Sequence, residues 1–510
     1  MENDELKISN SKNFGYRPIV AAGKNDFLYL SFNSRGMIIT YVLVFGAIFL
    51  LMLSGLLGYI LLQLRQSAQK LAWNEALNIA EAGIEYYRWC ANNGVEAGCS
   101  GERDYFDGNG VLAGKFSIDS TSSSSCGQTT QRQIISTGWA AQFPAVRRKV
   151  KIIYGRESVA KYSYILNSSV WIGGDHVISG PYHSNGGIRM DGQNQSLMTS
   201  AAILNGIGEW VCTSSFGCSP CPTGAGRCRI AGGQCICPGI FTTTSNPTPS
   251  LFKFPVPPFS FDTITMDLAD IKQKAKTGGG IYFPVSTDIV PGSKGYHLNF
   301  KSNGTVEVWA VMALQQTYGY SEEDGWKQDR FTINNESLYG TYPIPAACSA
   351  IYIEDNLWVT GTVKGKVVVA SAHLKEDGDT DPDVDTDVIL PGSIAYSNYG
   401  GSDGLAIIAE RNALIGPQSP DNMELHVIII AQKGRFGRNH YPDNFKNILN
   451  IYGSIISKGR VGTQWTSGGQ IVSGYSQRYT YSDQNQVYNP PPFVAHMSSD
   501  YKIVSWQEIN

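Results

Sequence analysis

MIITYVLVFGAIFLLMLSGLLGYILL, running from Met37 to Leu62, contains no charged side chain. At about 1.5 Å per helical residue, such a run is long enough to cross a hydrocarbon core of roughly 30 Å with some tilt. It is too long for the apolar region of a signal peptide, and no A-x-A-like cleavage site follows it. A helix in a globular core is rarely apolar on every face over this length. The run therefore predicts one transmembrane helix, and no later stretch of the 510 residues rivals it.

Composition sets the class of the remaining chain. Charged residues make up 16% of the protein and the formal net charge is −3, so bulk electrostatics point to no nucleic-acid partner. With 55 Gly and 27 Tyr, the chain has the turn-rich, aromatic texture of exported β structure. Lys24 and Arg35 before the span nearly balance Arg65 and Lys70 after it, so the positive-inside rule gives little direction. Cysteine usage gives more. Six of the ten Cys (Cys212, Cys218, Cys221, Cys228, Cys235 and Cys237) fall in one Gly/Pro-rich stretch. An even cluster of this kind predicts a disulfide-stapled loop in an oxidising compartment. The competing reading is zinc, but Cys235-x-Cys237 is tighter than the usual ligand spacing and no His lies nearby. The disulfide reading puts residues 1–36 in the cytoplasm and the rest of the chain beyond the span outside.

Residues 63–89, QLRQSAQKLAWNEALNIAEAGIEYYRW, place Leu64, Ala68, Leu71, Ala76, Ile79, Ala80, Gly83, Ile84 and Tyr87 on one helical stripe. No Pro interrupts them, so the membrane helix is expected to continue as an amphipathic rod. Arg35-Gly36 before the apolar run, and Ala76-x₃-Ala80-Glu81-Ala82-Gly83 after it, resemble the PilX-like branch of type IV pilin-like proteins. The resemblance covers roughly residues 33–155. It implies removal of a leader between Gly36 and Met37, and a helix that is both membrane anchor and fibre spine. On that reading Ala76, Ala80, Ala82 and Gly83 let other pilin helices approach closely. Tyr41 stands where such mature chains usually carry Glu, which implies a minor rather than a fibre-body role. The alternative is an ordinary signal anchor that is never processed.

Beyond the helix, Gly114–Asp119 is expected to pair with Gln133–Thr137 across a Ser-rich loop, Thr121–Ser125, and Val146–Tyr154 reads as a further strand. Cys90, Cys99 and Cys126 flank these elements, and one pair of them is expected to close a loop. From Tyr162 onward very short apolar strands alternate with Gly, Asn or Asp turns: Val170–Met190, Asn356–Ala370, Gly404–Gly416, Leu425–Gly434 and Leu449–Gly459. The later members recur about every 20 to 25 residues, the period of a parallel β-solenoid. A β-sandwich is the alternative. The expected fold is mainly β: a long N-terminal transmembrane and amphipathic α-helix, a small pilin-like antiparallel sheet, then a parallel β-solenoid with insertions. Its parts are a cytoplasmic leader (1–36), the transmembrane helix (37–62), helix and sheet (63–155) and a first solenoid part (156–205). A Cys-rich loop with a Pro-rich linker (206–260), an insertion or small subdomain (261–345), the main solenoid (346–489) and a C-terminal cap (490–510) complete the chain.

Chemical motifs are sparse. There is no Gly-x-Ser-x-Gly elbow, P-loop, His-Glu-x-x-His or dinucleotide fingerprint. His176 and His183 read as turn or surface residues. Asp377, Asp379, Asp381 and Asp383 alternate in an acidic loop, a candidate calcium site of hard oxygen ligands, although the spacing is not that of an EF-hand. No other cofactor and no catalytic residue is expected. The chain reads as a surface-exposed structural or adhesive protein, a minor pilin-like component of a type IV pilus or related filament system. It would sit in the bacterial membrane as a single-pass protein, with its ectodomain outside. Its expected partners are the membrane, other pilin-like proteins and surface polysaccharide or another cell. The alternative is a membrane-anchored β-helix enzyme or binding module acting on polysaccharide.

Overall fold

The computed structural model describes residues 37–95, 98–204, 206–264, 267–374 and 385–509. One α-helix, α1, runs from Met37 to Asn92. The part of the chain up to Lys70 forms a unit of its own. Its helical segment is apolar and exposed on every face, and is long enough to cross a membrane. An apolar helix keeps its backbone hydrogen bonds internal, as a hydrocarbon solvent requires.

In the second unit, from Leu71 on, the helix gains a buried stripe: Ala72, Ala76, Ile79, Ala80, Ile84, Tyr87 and Cys90. Leu64 and Leu71, expected on the stripe, are exposed, so the buried face begins only at Ala72. It packs on an antiparallel sheet of β1 (Gly101–Phe106), β2 (Leu112–Ser125), β3 (Gln128–Ala140) and β4 (Arg147–Ser158). The register sets Ser117 opposite Thr137, and the face toward the helix carries Phe116, Ile118, Ile134, Val150, Ile152 and Tyr154. Two expectations need correction here. Thr121–Ser125 is not a loop but the end of β2. The turn follows it, where Cys126 and Gly127 have φ of 56° and 78°, the positive values that a two-residue hairpin turn demands. The C-terminus is a full strand, His496–Ile509, antiparallel to β4 and the fifth member of this sheet.

The remaining strands stack in parallel ladders. The longest joins Ile281, Ile351, Val369, Ile407, Ile429, Ile455, Tyr164, Tyr182, Met198 and Phe252, each opposite the next. A second joins Gly361, Ile394, Leu425, Ile451, Thr480, Ile178 and Asn194. A third joins Leu357, Val388, Ala413 and Phe436, and a fourth, shorter one Val170, Ile188 and Ile240. Inward side chains of all four form one continuous apolar core. These pairings are parallel, unlike the antiparallel pairings of a sandwich. Strands such as Gly404–Ala409 are buried on both faces, which explains their unbroken apolar sequence.

Chain order and spatial order differ. The chain enters the stack in its middle, at Tyr164, and winds to Phe252 at one end. It then returns to the other end, at Ile281, and winds back until Ile455 docks on Tyr164. The return segment includes the helix Leu268–Thr277, whose N-cap Asp267 accepts from the Ala269 and Asp270 amides. Phe261, Leu268, Ile271 and Ala275 cover the outward apolar residues of the long ladder, among them Val368, Ala406, Ile408, Ile428 and Ile456. The stretch 261–345, expected as an insertion or small subdomain, is therefore part of the stack. Its strand Ile281–Phe283 extends the longest ladder and Tyr296–Lys301 the second and third, and its hairpin, Thr305–Ser321 with Gly325–Pro343, lies over the outer face of the third. Val311, Leu314, Phe331 and Ile333 of that hairpin pack on Trp358, Ile389 and Leu414.

Candidate binding cleft

At the junction of Ile455 with Tyr164, two ladders run on unbroken but the third does not. Gly437 is bridged to Gly462, and Val170 to Ile188. Among the described residues no bridge joins 460–463 to 170–172. After Gly462 the chain leaves the rung to form an antiparallel hairpin, Gln464–Ser467 with Gln470–Gly474. The gap is a cleft of about 240 Å³, floored by Tyr164, Tyr182, Ile172 and Val461. Trp171, Trp465, Arg460, Arg478, Gln464 and Glu322 wall it, the last supplied by the tip of the long hairpin.

Each wall residue is held by a second group. Asp191 is buried and accepts from Trp171 Nε1 at 2.9 Å, Arg189 Nε at 2.7 Å and the Thr243 amide at 2.7 Å. The Arg189 guanidinium lies 4.3 Å over the Trp171 ring. Trp465 donates to the Arg438 carbonyl at 2.8 Å. Arg478 makes a bidentate pair with Asp175 at 3.0 and 2.8 Å, and Gln464 Nε2 donates to the same carboxylate. Arg460 pairs with Glu322 at 2.6 Å and donates to the Ser215 carbonyl. Asp191→Asn is expected to loosen Trp171 and Arg189 together, at a cost of about 2 kcal/mol for weakened charge-assisted hydrogen bonds. Urea unfolding of the full chain checks it, and an unchanged midpoint would refute the account of Asp191.

His176 and His183 are not surface residues. His176 Nε2 lies 3.0 Å from the Thr480 hydroxyl, which also meets the Tyr164 hydroxyl. His183 bonds Thr199 and Asn185. Burial, with Arg478 adding to it, holds the His176 imidazole well below its ordinary value, so it is neutral. Burial likewise lowers His183, and it lowers His496, beside Arg156, to about 4. The folded-state values lie below the unfolded value of about 6.5, so the neutral rings favour the fold above that pH and the stabilisation is lost as pH falls through it toward the folded values. Urea midpoints are therefore expected to drop between pH 7 and pH 4, and His496→Gln to flatten the decline. A profile with the same slope in that variant would exclude His496 as a contributor.

The structure treats the other sequence candidates unequally. All six clustered Cys are disulfide-bonded: Cys212–Cys218, Cys221–Cys235 and Cys228–Cys237. The sulfurs of Cys218, Cys228, Cys235 and Cys237 lie close together, but in these bridges they carry no thiolate for a metal. Cys90 pairs with Cys99, and Cys126 with Cys348. Ala76, Ala80 and Gly83 are buried against the chain's own sheet rather than offered to other helices, while Ala82 is half-buried. Their small size serves a close helix-to-sheet approach. Asp377, Asp379, Asp381, Asp383 and Gly36 lie outside the described residues, as does the Met37 side chain. Asp385 and Asp387, at the end of the acidic run, are engaged by Lys433 and Arg411. The cleft itself has no signature in the sequence. Trp171, Glu322 and Trp465 share no motif, and only the docking of Ile455 on Tyr164 brings them together.

No family model matches the chain, and no curated protein matches it. Among solved structures it is similar to the competence-associated pilin ComZ from Thermus thermophilus, at 10% identity over 86% of this chain and 98% of that one, with a TM-score of 0.26. At that level of similarity the fold of this chain is read from its own pairings.

Proposed function

We propose that the chain is a minor, PilX-like pilin-type protein, anchored in the bacterial membrane by its first helix and displaying a non-catalytic β-solenoid head outside the cell. The observation that carries this reading is α1 itself. Its first part is apolar and exposed on every face, and its second is seated by Ala76, Ala80 and Gly83 on an antiparallel sheet. Five disulfides favour an oxidising exterior. The parallel ladders with one shared core support a solenoid head. A role without catalysis is favoured by the lining of the cleft, whose one acid among the described residues is Glu322, held by Arg460, whereas glycoside cleavage needs two carboxyl groups flanking the scissile bond. The test is shearing and fractionation of the native cells, with N-terminal sequencing of the recovered protein. A mature N-terminus at Met37 in sheared fibres is the expected result. A chain beginning at Met1 and confined to membranes would overturn the filament role.

A further inference from the structure

We infer that the seam cleft binds an uncharged glycan, one sugar ring lodging where Trp171 and Trp465 line the cleft and further rings following the aromatic surface beyond Trp465. The inference goes beyond the reading of the head as displayed and non-catalytic, and rests on it for the head's exposure outside the cell. Size comes first: about 240 Å³ suits one pyranose ring and is too small for a folded partner. Chemistry comes second. The indoles of Trp171 and Trp465 line the space with apolar surface for sugar C–H groups, and Ser214, Thr463 and Thr466 line it with polar groups for sugar hydroxyls. Charge comes third. Arg478 is matched by Asp175, Arg460 by Glu322, and His176 is neutral, so the walls hold no uncompensated cation for a phosphate, sulfate or carboxylate.

Aromatic rings also continue outward from the Trp465 wall. The Trp465 ring lies 5.6 Å from Tyr320, Tyr320 lies 5.5 Å from Trp326, and Trp326 stacks on Tyr318 at 4.9 Å with planes 12° apart. Trp326 and Tyr318 are 48% and 51% exposed. Such a pair normally buries its faces, and here it lies on the hairpin tip, which reaches the seam through the Tyr320–His440 bridge and the Glu322–Arg460 pair. An extended chain of sugars leaving the cleft would pass over these rings, so affinity should grow with chain length.

The experiment uses the full chain in lipid nanodiscs, since sugar detergents would compete. Glucose and N-acetylglucosamine oligomers of one to six units are titrated by calorimetry and tryptophan fluorescence, with heparin and oligo(dT) as polyanion probes. The expected result is saturable binding, at least tenfold tighter for four units than for one and unchanged between 50 and 500 mM NaCl. Trp465→Ala should weaken it at least tenfold. Trp326→Ala, at a half-exposed position outside the cleft lining, should weaken only the longer oligomers. No saturable glycan binding, binding of the polyanions alone, or full binding by Trp465→Ala would each overturn the proposal. Should Trp465→Ala fail to fold, an unaltered length dependence in Trp326→Ala overturns the role of these outer rings. These measurements involve no filament, so their failure leaves the helix-based reading standing, and failure of the shearing test leaves glycan binding untouched.

Discussion

Replacing Gly138 by Val is expected to unseat the small sheet from its helix and to cost about 3–5 kcal/mol, at the destabilising extreme for a single substitution. Gly138 lies on β3, opposite Phe116 on one side and Arg148 on the other. A Cβ there would press on the Ala80 nitrogen and the Ala76 carbonyl oxygen, and would lie 2.9 Å from the Ala80 Cα. These are backbone atoms of α1 and cannot rotate aside. The helix would have to lift, separating Ile79, Ile84 and Tyr87 from Ile134, Ile152 and Tyr154. Gly83→Leu attacks the same interface from the helix, with its Cβ 2.9 Å from Phe116 Cδ2 and closer still to the Ser136 hydroxyl. Because Phe116 and Ser136 are side chains, that variant should cost less. Thermal melting followed by near-ultraviolet circular dichroism, on the full chain in nanodiscs, distinguishes the two. A Gly138→Val melt superimposable on the wild type would show that the helix is not held as described.

The second large effect is expected on removing the Cys126–Cys348 bridge. Cys126 forms the β2–β3 turn, and Cys348 lies just before Ala350, where the strand Ala350–Ile353 of the longest ladder begins. The bridge spans 222 residues of sequence, against nine for Cys90–Cys99. If closure entropy of the unfolded chain governs, Cys126→Ser/Cys348→Ser should cost about 5 kcal/mol and Cys90→Ser/Cys99→Ser about 3. The Cys126 amide donates to the Ala347 carbonyl at 2.9 Å, and the Ser125 and Ser349 hydroxyls meet at 3.2 Å. These bonds should persist in the variant, so the loss should fall on the unfolded state rather than on native geometry. Urea unfolding of both double variants is the measurement. Equal losses would exclude loop length as the governing term.

Much of the helix and its sheet was readable because the signals are local. The apolar run Met37–Leu62, the absence of Pro to Trp89 and the alternation in Gly114–Asp119 and Val146–Tyr154 each report on a segment by itself. The clustered Cys were readable for the same reason, since proximity in sequence brings Cys212 to Cys237 within reach of one another whatever the rest of the chain does. The phase of the buried helical stripe was less readable. Leu71 is exposed and Ala72 buried, because Ala72 lies one and two turns before Ala76 and Ala80, the residues that meet Gly138, on the same face of the helix.

The sequence by itself therefore determined the membrane-length helix, the cysteine-rich stretch and the strand-forming runs that follow the helix. Only the tertiary structure decided which run lies beside which. Short apolar strands such as Ile407–Ala409 and Ile429–Ala431 carry nearly interchangeable patterns, and a parallel ladder pairs residues by docking across long separations, not by turn geometry. Hence nothing local announces that Ile455 stacks on Tyr164, that the segment after Phe252 must travel back over the outer face, or that His496–Ile509 completes the first sheet. The cleft depends on that docking: Trp171 and Trp465 line one space because the last strands of the stack dock on the first, and the Glu322 carboxylate reaches them only along a hairpin laid over the ladders between.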